Sequence, residues 1–203
     1  MSRLTQIISL LYRRTEGERA QLERQLLEQR KRTWSTALRA EAQRHGCNKV
    51  ARSPSGADLA ELRRMSREDA DSIIRTWNAD VERQVEKLYA DNPRGNRNYY
   101  ARGMEAWAAQ REAFKGRQIA LVTETTAAEF ARGRFREANY TGRERFQLTG
   151  PPPTCRECAT LFAAGAVDNA FIRRHPTPVH IGCPHTWTAV RLPKINCSEM
   201  WLG

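Results

Sequence analysis

The sequence predicts an α+β chain that is mostly α. A long N-terminal helical arm leads into a helical core, and a C-terminal lobe follows, with a small antiparallel sheet and a cluster of Cys and His. Three observations predict this. Apolar residues recur at three- and four-residue intervals through the first two thirds of the 203-residue chain, as they do on helices that bury one stripe. Two short β-rich runs, residues 143–148 and 186–192, stand near the end, with the alternation of half-buried strands. Four of the five cysteines and three of the four histidines lie at or beyond residue 155.

The elements follow in order. Residues 3–44 read as one long helix or a helix pair, with Leu4, Ile8, Leu11, Leu22 and Leu26 on one stripe and Thr15-Glu16-Gly17 weakening it. So thin a stripe on so long a helix suits an arm packed on something else, or a coiled-coil segment. Gly46 is placed to close it as the left-handed residue after the last turn. Residues 52–57 read as a loop, and Ser66-Arg67-Glu68-Asp69 as a helix start with Ser66 as N-cap. Ile73, Ile74, Trp77, Val81, Val85 and Leu88 give that helix a core face, and the run Asp91 to Asn96, with Pro93 and Gly95, breaks it.

A third helix is expected at about 98–115, with Tyr99, Tyr100, Met104, Trp107, Ala108 and Phe114 as core rather than as a base-stacking platform. Gly116 separates it from a fourth helix, whose start around Ile119–Val122 is apolar nearly all round and is expected to be the most buried helical stretch. Glu124 in that setting calls for a hydrogen-bonding or cationic partner. With no second carboxylate or His at helical spacing, it reads as structural rather than catalytic. The two β-rich runs are expected to pair and to hold the cysteine region at their rim. The domain reading is an arm at 1–50, a helical region at 51–116 and a C-terminal domain at 117–203.

Composition narrows the class. A 40% hydrophobic and 28% charged chain has a soluble profile, and no run approaches the ~18 apolar residues of a membrane span. Five cysteines, an odd number, without a secretory leader favour reduced thiols over a disulfide framework, and a cytoplasmic site of synthesis. Cys47 and His45, with no partner pair beside them, read as part of a helix-end turn, and Cys197, with no histidine or cysteine near it, reads as free. The net charge of +11 suits contact with nucleic acid or an acidic protein surface. The longest basic block is only Arg30-Lys31-Arg32, so charge alone does not define a DNA-binding arm.

The chemistry concentrates in Cys155-Arg156-Glu157-Cys158 and His180-Ile181-Gly182-Cys183-Pro184-His185. Thiolates and imidazole at two-residue spacings suit one tetrahedral zinc ion, because a single tight turn then offers two ligands to one metal. The simplest ligand set is Cys155, Cys158, His180 and Cys183, with His185 as the alternative fourth. The competing reading is reduced cysteines packed as small hydrophobes. A redox dithiol is disfavoured by Pro151-Pro152-Pro153 ahead of the motif. A catalytic zinc needs an open position and a nearby base, and Glu157 is the only carboxylate in the first knuckle.

An ordered series of residues runs through the last third. It comprises Ile119-Ala120-x-x-Thr123-Glu124-Thr125, then Phe130-Ala131-x-Gly133-Arg134, then a short strand ending in Thr149-Gly150. Thr154-Cys155-x-x-Cys158-Ala159-x-Leu161 and His180-x-x-Cys183-x-His185 complete it. This series resembles the phage minor head proteins of the phage Mu protein F-like family over about residues 117–192. His185 stands where that family typically has its last cysteine, and Leu161-Phe162-Ala163 replaces its usual Leu-Asp-Gly.

The resemblance implies a non-enzymatic virion component in the capsid interior near the portal. It would be present in several copies, with the portal protein and the major capsid protein as partners and non-specific contact with packaged DNA, and would act in head assembly and genome packaging or delivery. Two other classes stand beside it. One is a zinc-stabilised DNA-binding protein, suggested by the charge. The other is a metal-dependent hydrolase or nuclease using His175, His180 or His185 with Glu157.

Overall fold

In the computed structural model, residues 18–49, 51–178 and 183–203 are described, the side chains of 112 and 113 aside. The chain is mostly helical. The order is α1 (Arg19–Arg44), α2 (Gly56–Asp91), α3 (Arg97–Asn139), β1 (Phe146–Thr149), α4 (Arg156–Ala163), α5 (Asn169–Arg174) and β2 (Thr186–Ala189). The expected stripe over Leu4, Ile8 and Leu11 lies outside the described residues. No described helix is long and apolar enough to cross a membrane.

The residues group into two compact units. The first combines the described residues up to Glu28 with Glu61–Arg117; the second combines Gln29–Ala60 with Gln118–Gly203.

In the first unit, Leu26, Leu62, Ala70, Val81, Val85 and Tyr100 are buried, and the Trp77 and Trp107 rings lie 5.3 Å apart. The buried Asp80 carboxylate is flanked by the Arg83 and Arg111 guanidiniums. Burial alone would raise its pKa, but the two cations outweigh burial and hold it below the usual carboxylate value.

Ser66 is not an N-cap. The helix begins ten residues earlier, at Gly56, and Ser66 is buried inside it with its hydroxyl donating to the Leu62 carbonyl at 2.7 Å. The intervening Ala57 to Met65 run is rich in strong helix formers, and a serine that bonds back to the i−4 carbonyl sits inside a helix at small cost. The Asp91–Asn96 break is present, with Asn96 Oδ1 capping the Tyr99 N–H of α3 at 3.0 Å.

The two helices expected on either side of Gly116 are one. α3 runs through Gly116 for 43 residues. A lone glycine costs a helix interior only about 1 kcal/mol relative to alanine, and its neighbours Lys115, Arg117 and Gln118 are good helix formers. Gly116 is exposed, has an ordinary φ, and a Cβ there would meet nothing within 4 Å. Gly116→Ala is therefore expected to stabilise the protein by about 0.5–1 kcal/mol, read as a raised denaturation midpoint in helical circular dichroism. A lowered midpoint would show that this position needs glycine.

In the second unit, Arg30, Trp34, Ala37, Leu38, Glu41 and Ala42 extend the α1 stripe inward, and Thr123, Ala127, Ala131 and Phe135 form the buried row of α3. That row corrects the expectation for the stretch after Gly116. Leu121 is 47% exposed, because small residues at i, i+4 spacing let backbones approach closely, and burial follows that row rather than local hydropathy. Glu124 is exposed and accepts a hydrogen bond from Gln29 Nε2 at 2.9 Å.

α1 ends as expected at Gly46, with φ +74° and the paired bonds Cys47 N–H to Ala42 O (3.0 Å) and Gly46 N–H to Gln43 O (2.9 Å). Cys47 is not free. It forms a disulfide with Cys197, with Cα atoms 5.6 Å apart, so the expectation of uniformly reduced thiols is wrong for this pair. The final segment is packed into this unit. Met200 and Leu202 are buried, Trp201 packs edge-on against Trp34 at 6.2 Å, and Asn139 bonds both the N–H and the carbonyl of Trp201.

Candidate metal centre

The C-terminal lobe is built on two strands. β1 and β2 pair antiparallel, Phe146 opposite Ala189 and Thr149 opposite Thr186. Phe146, Leu148 and Trp187 face one side and pack with Leu161, Val167 and Ile172 into a small apolar core, as a period-two alternation requires. Trp187 Nε1 donates to the His175 carbonyl at 2.9 Å, which satisfies the indole within that core.

The Cys/His cluster sits at the rim of this sheet, where β1 has ended and β2 is about to begin. Cys155 is the N-cap of α4, its Sγ accepting the Cys158 N–H at 3.3 Å. The Cys-x-x-Cys therefore occupies a helix N-terminus, where the helix dipole favours thiolates. Cys183 and His185 precede β2 with one residue between them, so extended backbone sends both side chains the same way.

Cys158 Sγ lies 3.6 Å from Cys183 Sγ, and Cys183 Sγ lies 3.6 Å from His185 Nδ1. Ligand atoms of all three residues fall within 4.8 Å of one another. The residues are 0%, 6% and 4% exposed, respectively.

These distances can be tested against a metal. With Zn–S of about 2.3 Å and Zn–N of about 2.05 Å, a tetrahedron has S···S edges of about 3.8 Å and S···N edges of about 3.6 Å. The observed separations match both. His185 Nε2 donates to the Pro151 carbonyl at 2.8 Å, which leaves the Nδ1 lone pair directed toward the sulfurs; this is the outer-sphere bond that orients a metal-ligating imidazole. Gly150, with φ +149°, makes room for that ring, because a Cβ there would lie 2.7 Å from His185 Cδ2.

The electrostatics define the charge that an ion would balance and the protons that it would displace. Burial pushes the Cys158 thiol well up, and the neighbouring Cys155 and Cys183 sulfurs push it further, so negative charge accumulates here only if a cation balances it. Burial would lower His185, but Cys183, the Pro151 carbonyl and Cys155 outweigh it and hold it above its usual value, so an ion at Nδ1 would take the place of a proton that the sulfurs favour.

The structure therefore brings together Cys158, Cys183 and His185, with Cys155 beside them. His180, the first choice for fourth ligand, lies outside the described residues. His175 is elsewhere: it ends α5, exposed, with its ring 4.4 Å from that of Phe171. Glu157 is exposed in the first turn of α4. The Cys183-x-His185 spacing just ahead of a β-rich run was the signal for His185. For the Cys47–Cys197 pair there was none, since the two cysteines are 150 residues apart.

Fold and site together define a mostly helical protein with a small two-stranded lobe and a buried Cys/His group able to hold a metal ion. No protein-family model, curated protein or solved structure matches the chain.

Proposed function

We propose that Cys155, Cys158, Cys183 and His185 hold one structural zinc ion, and that the chain is a non-enzymatic minor head protein of a phage particle. In this reading it sits in the capsid interior near the portal, in several copies, with the portal protein as main partner and the major capsid protein as a second. It would act in head assembly and in genome packaging or delivery.

The observation that carries the reading is the convergence of the two Cys/His half-motifs on the rim of the sheet. It supports treating the Mu F-like motif series as one folded unit rather than as scattered matches. Burial of the group supports a structural ion, since a catalytic zinc keeps an open, accessible position. When bound, the ion would staple α4 to the start of β2 and so hold a lobe whose apolar core is small.

Affinity capture of the tagged protein from phage-infected host cells is the test. Recovery of a portal-like ring that survives nuclease is the expected result. Recovery of nucleic acid alone, lost at high salt, would instead favour the zinc-stabilised DNA-binding reading that the +11 net charge suggests.

A further inference from the structure

Among the described residues of the first unit some cations are paired with carboxylates, while others, Arg24, Arg63, Arg75, Lys115 and Arg117 among them, form no ion pair. Arg19 pairs with Asp71, Arg64 with Glu61 and Glu68, Arg67 with Glu23, and Arg83 and Arg111 with Asp80. Around the turn joining α2 to α3 such cations gather in one short stretch. Lys87, Arg94, Arg97 and Arg102 are all exposed, and none forms an ion pair among the described residues. Between residues 87 and 102 the only carboxylate is Asp91.

Two aromatic rings share this tip, Tyr89 at 36% and Tyr99 at 37% exposure, so Tyr99, expected in the core, is not buried there. Both pack on the buried Tyr100, with centroids 6.4 and 5.3 Å away. The mount is rigid. Tyr100 Oη donates to the Asn92 carbonyl at 2.7 Å, and the Gly95 N–H reaches the same carbonyl at 3.0 Å. Gly95 is buried against the tyrosines, where a Cβ would lie 2.8 Å from Tyr99 Cδ1. Gly103 lets Leu88 of α2 approach equally closely.

We propose that this helical-hairpin tip binds single-stranded nucleic acid, with Arg94, Arg97 and Arg102 on the phosphates and the Tyr99 and Tyr89 rings as stacking faces for unpaired bases. Cations left without protein partners keep their full attraction for a polyanion, and half-exposed rings on a fixed support offer a stacking platform that any base can use. A duplex keeps its base faces hidden and would meet only the cations. The proposal is independent of the metal centre.

The test is fluorescence anisotropy of the full chain with a labelled 20-mer of deoxythymidylate. Binding should weaken with salt at a slope of about −2 to −3 in log K against log concentration, as three or four phosphate contacts to a single strand give. R94A/R97A/R102A should lose at least about ten-fold in affinity, and Tyr99→Ala about five-fold, with Tyr99→Phe restoring it. R173A/R174A/R191A, which removes equal charge from exposed positions of the second unit, should stay within about two-fold.

Circular dichroism shows whether each variant folds. Absent binding by the unaltered chain, equal losses from the two triple variants, or an unchanged affinity in a folded Tyr99→Ala protein would each overturn the proposal.

Discussion

On the proposed ligand set, Cys183→Ser is expected to abolish binding of one equivalent of zinc per chain and to unfold the C-terminal lobe. The lobe's apolar core comprises six buried side chains around two four-residue strands, a small core by the measure of independently stable domains. Structural zinc contributes on the order of 10–16 kcal/mol in isolated zinc-finger peptides, so losing a ligand should outweigh the rest of the lobe's stability.

The readouts are metal content by mass spectrometry and the near-ultraviolet dichroism of Trp187, which is buried in that core. His185→Ala should behave like Cys183→Ser, and a strong chelator should do the same to the unaltered protein. His180→Ala should retain both metal and lobe. Retention of a full equivalent by Cys183→Ser, or loss on His180→Ala with retention on His185→Ala, would defeat the proposed ligand set.

The second large effect concerns Cys47–Cys197. The bond joins residues 150 apart in sequence, and the loop-closure model assigns a ring of that size about 5 kcal/mol of destabilisation of the unfolded chain, against 2–4 kcal/mol in typical cases. Cys197→Ser is expected to lower the thermal midpoint markedly and to make it insensitive to reductant. The oxidised protein should fall to the same midpoint when reduced. Identical midpoints in all three states would mean that the final segment is held without the bond, by the Trp34–Trp201 contact and the Lys49 Nζ bonds to the Ser198 and Met200 carbonyls.

How legible each feature was depended on its range. The breaker at Asp91–Asn96, the Gly46 closure of α1 and the pairing of the two β-rich runs rest on local chemistry, and each appears in the structure at its expected place. Ser66 and Gly116 misled because each signal is worth only about 1 kcal/mol, less than the packing of the continuous helices that override them. The stretch after Gly116 misled for a related reason. Hydropathy marks Leu121 for burial, but the row through Thr123, Ala127 and Ala131 faces inward.

The sequence by itself determined the mostly helical class with a small antiparallel sheet, and that Cys158, Cys183 and a histidine belong to one neighbourhood. Spacing, periodicity and turn chemistry act over a few residues and are written in the chain. Tertiary structure decided which described histidine turns its Nδ1 toward the sulfurs, that Pro151 orients it, that Cys47 meets Cys197, and that the end of the chain packs on Trp34. Those outcomes depend on which distant segments share a core, and no local pattern encodes a contact made across 150 residues.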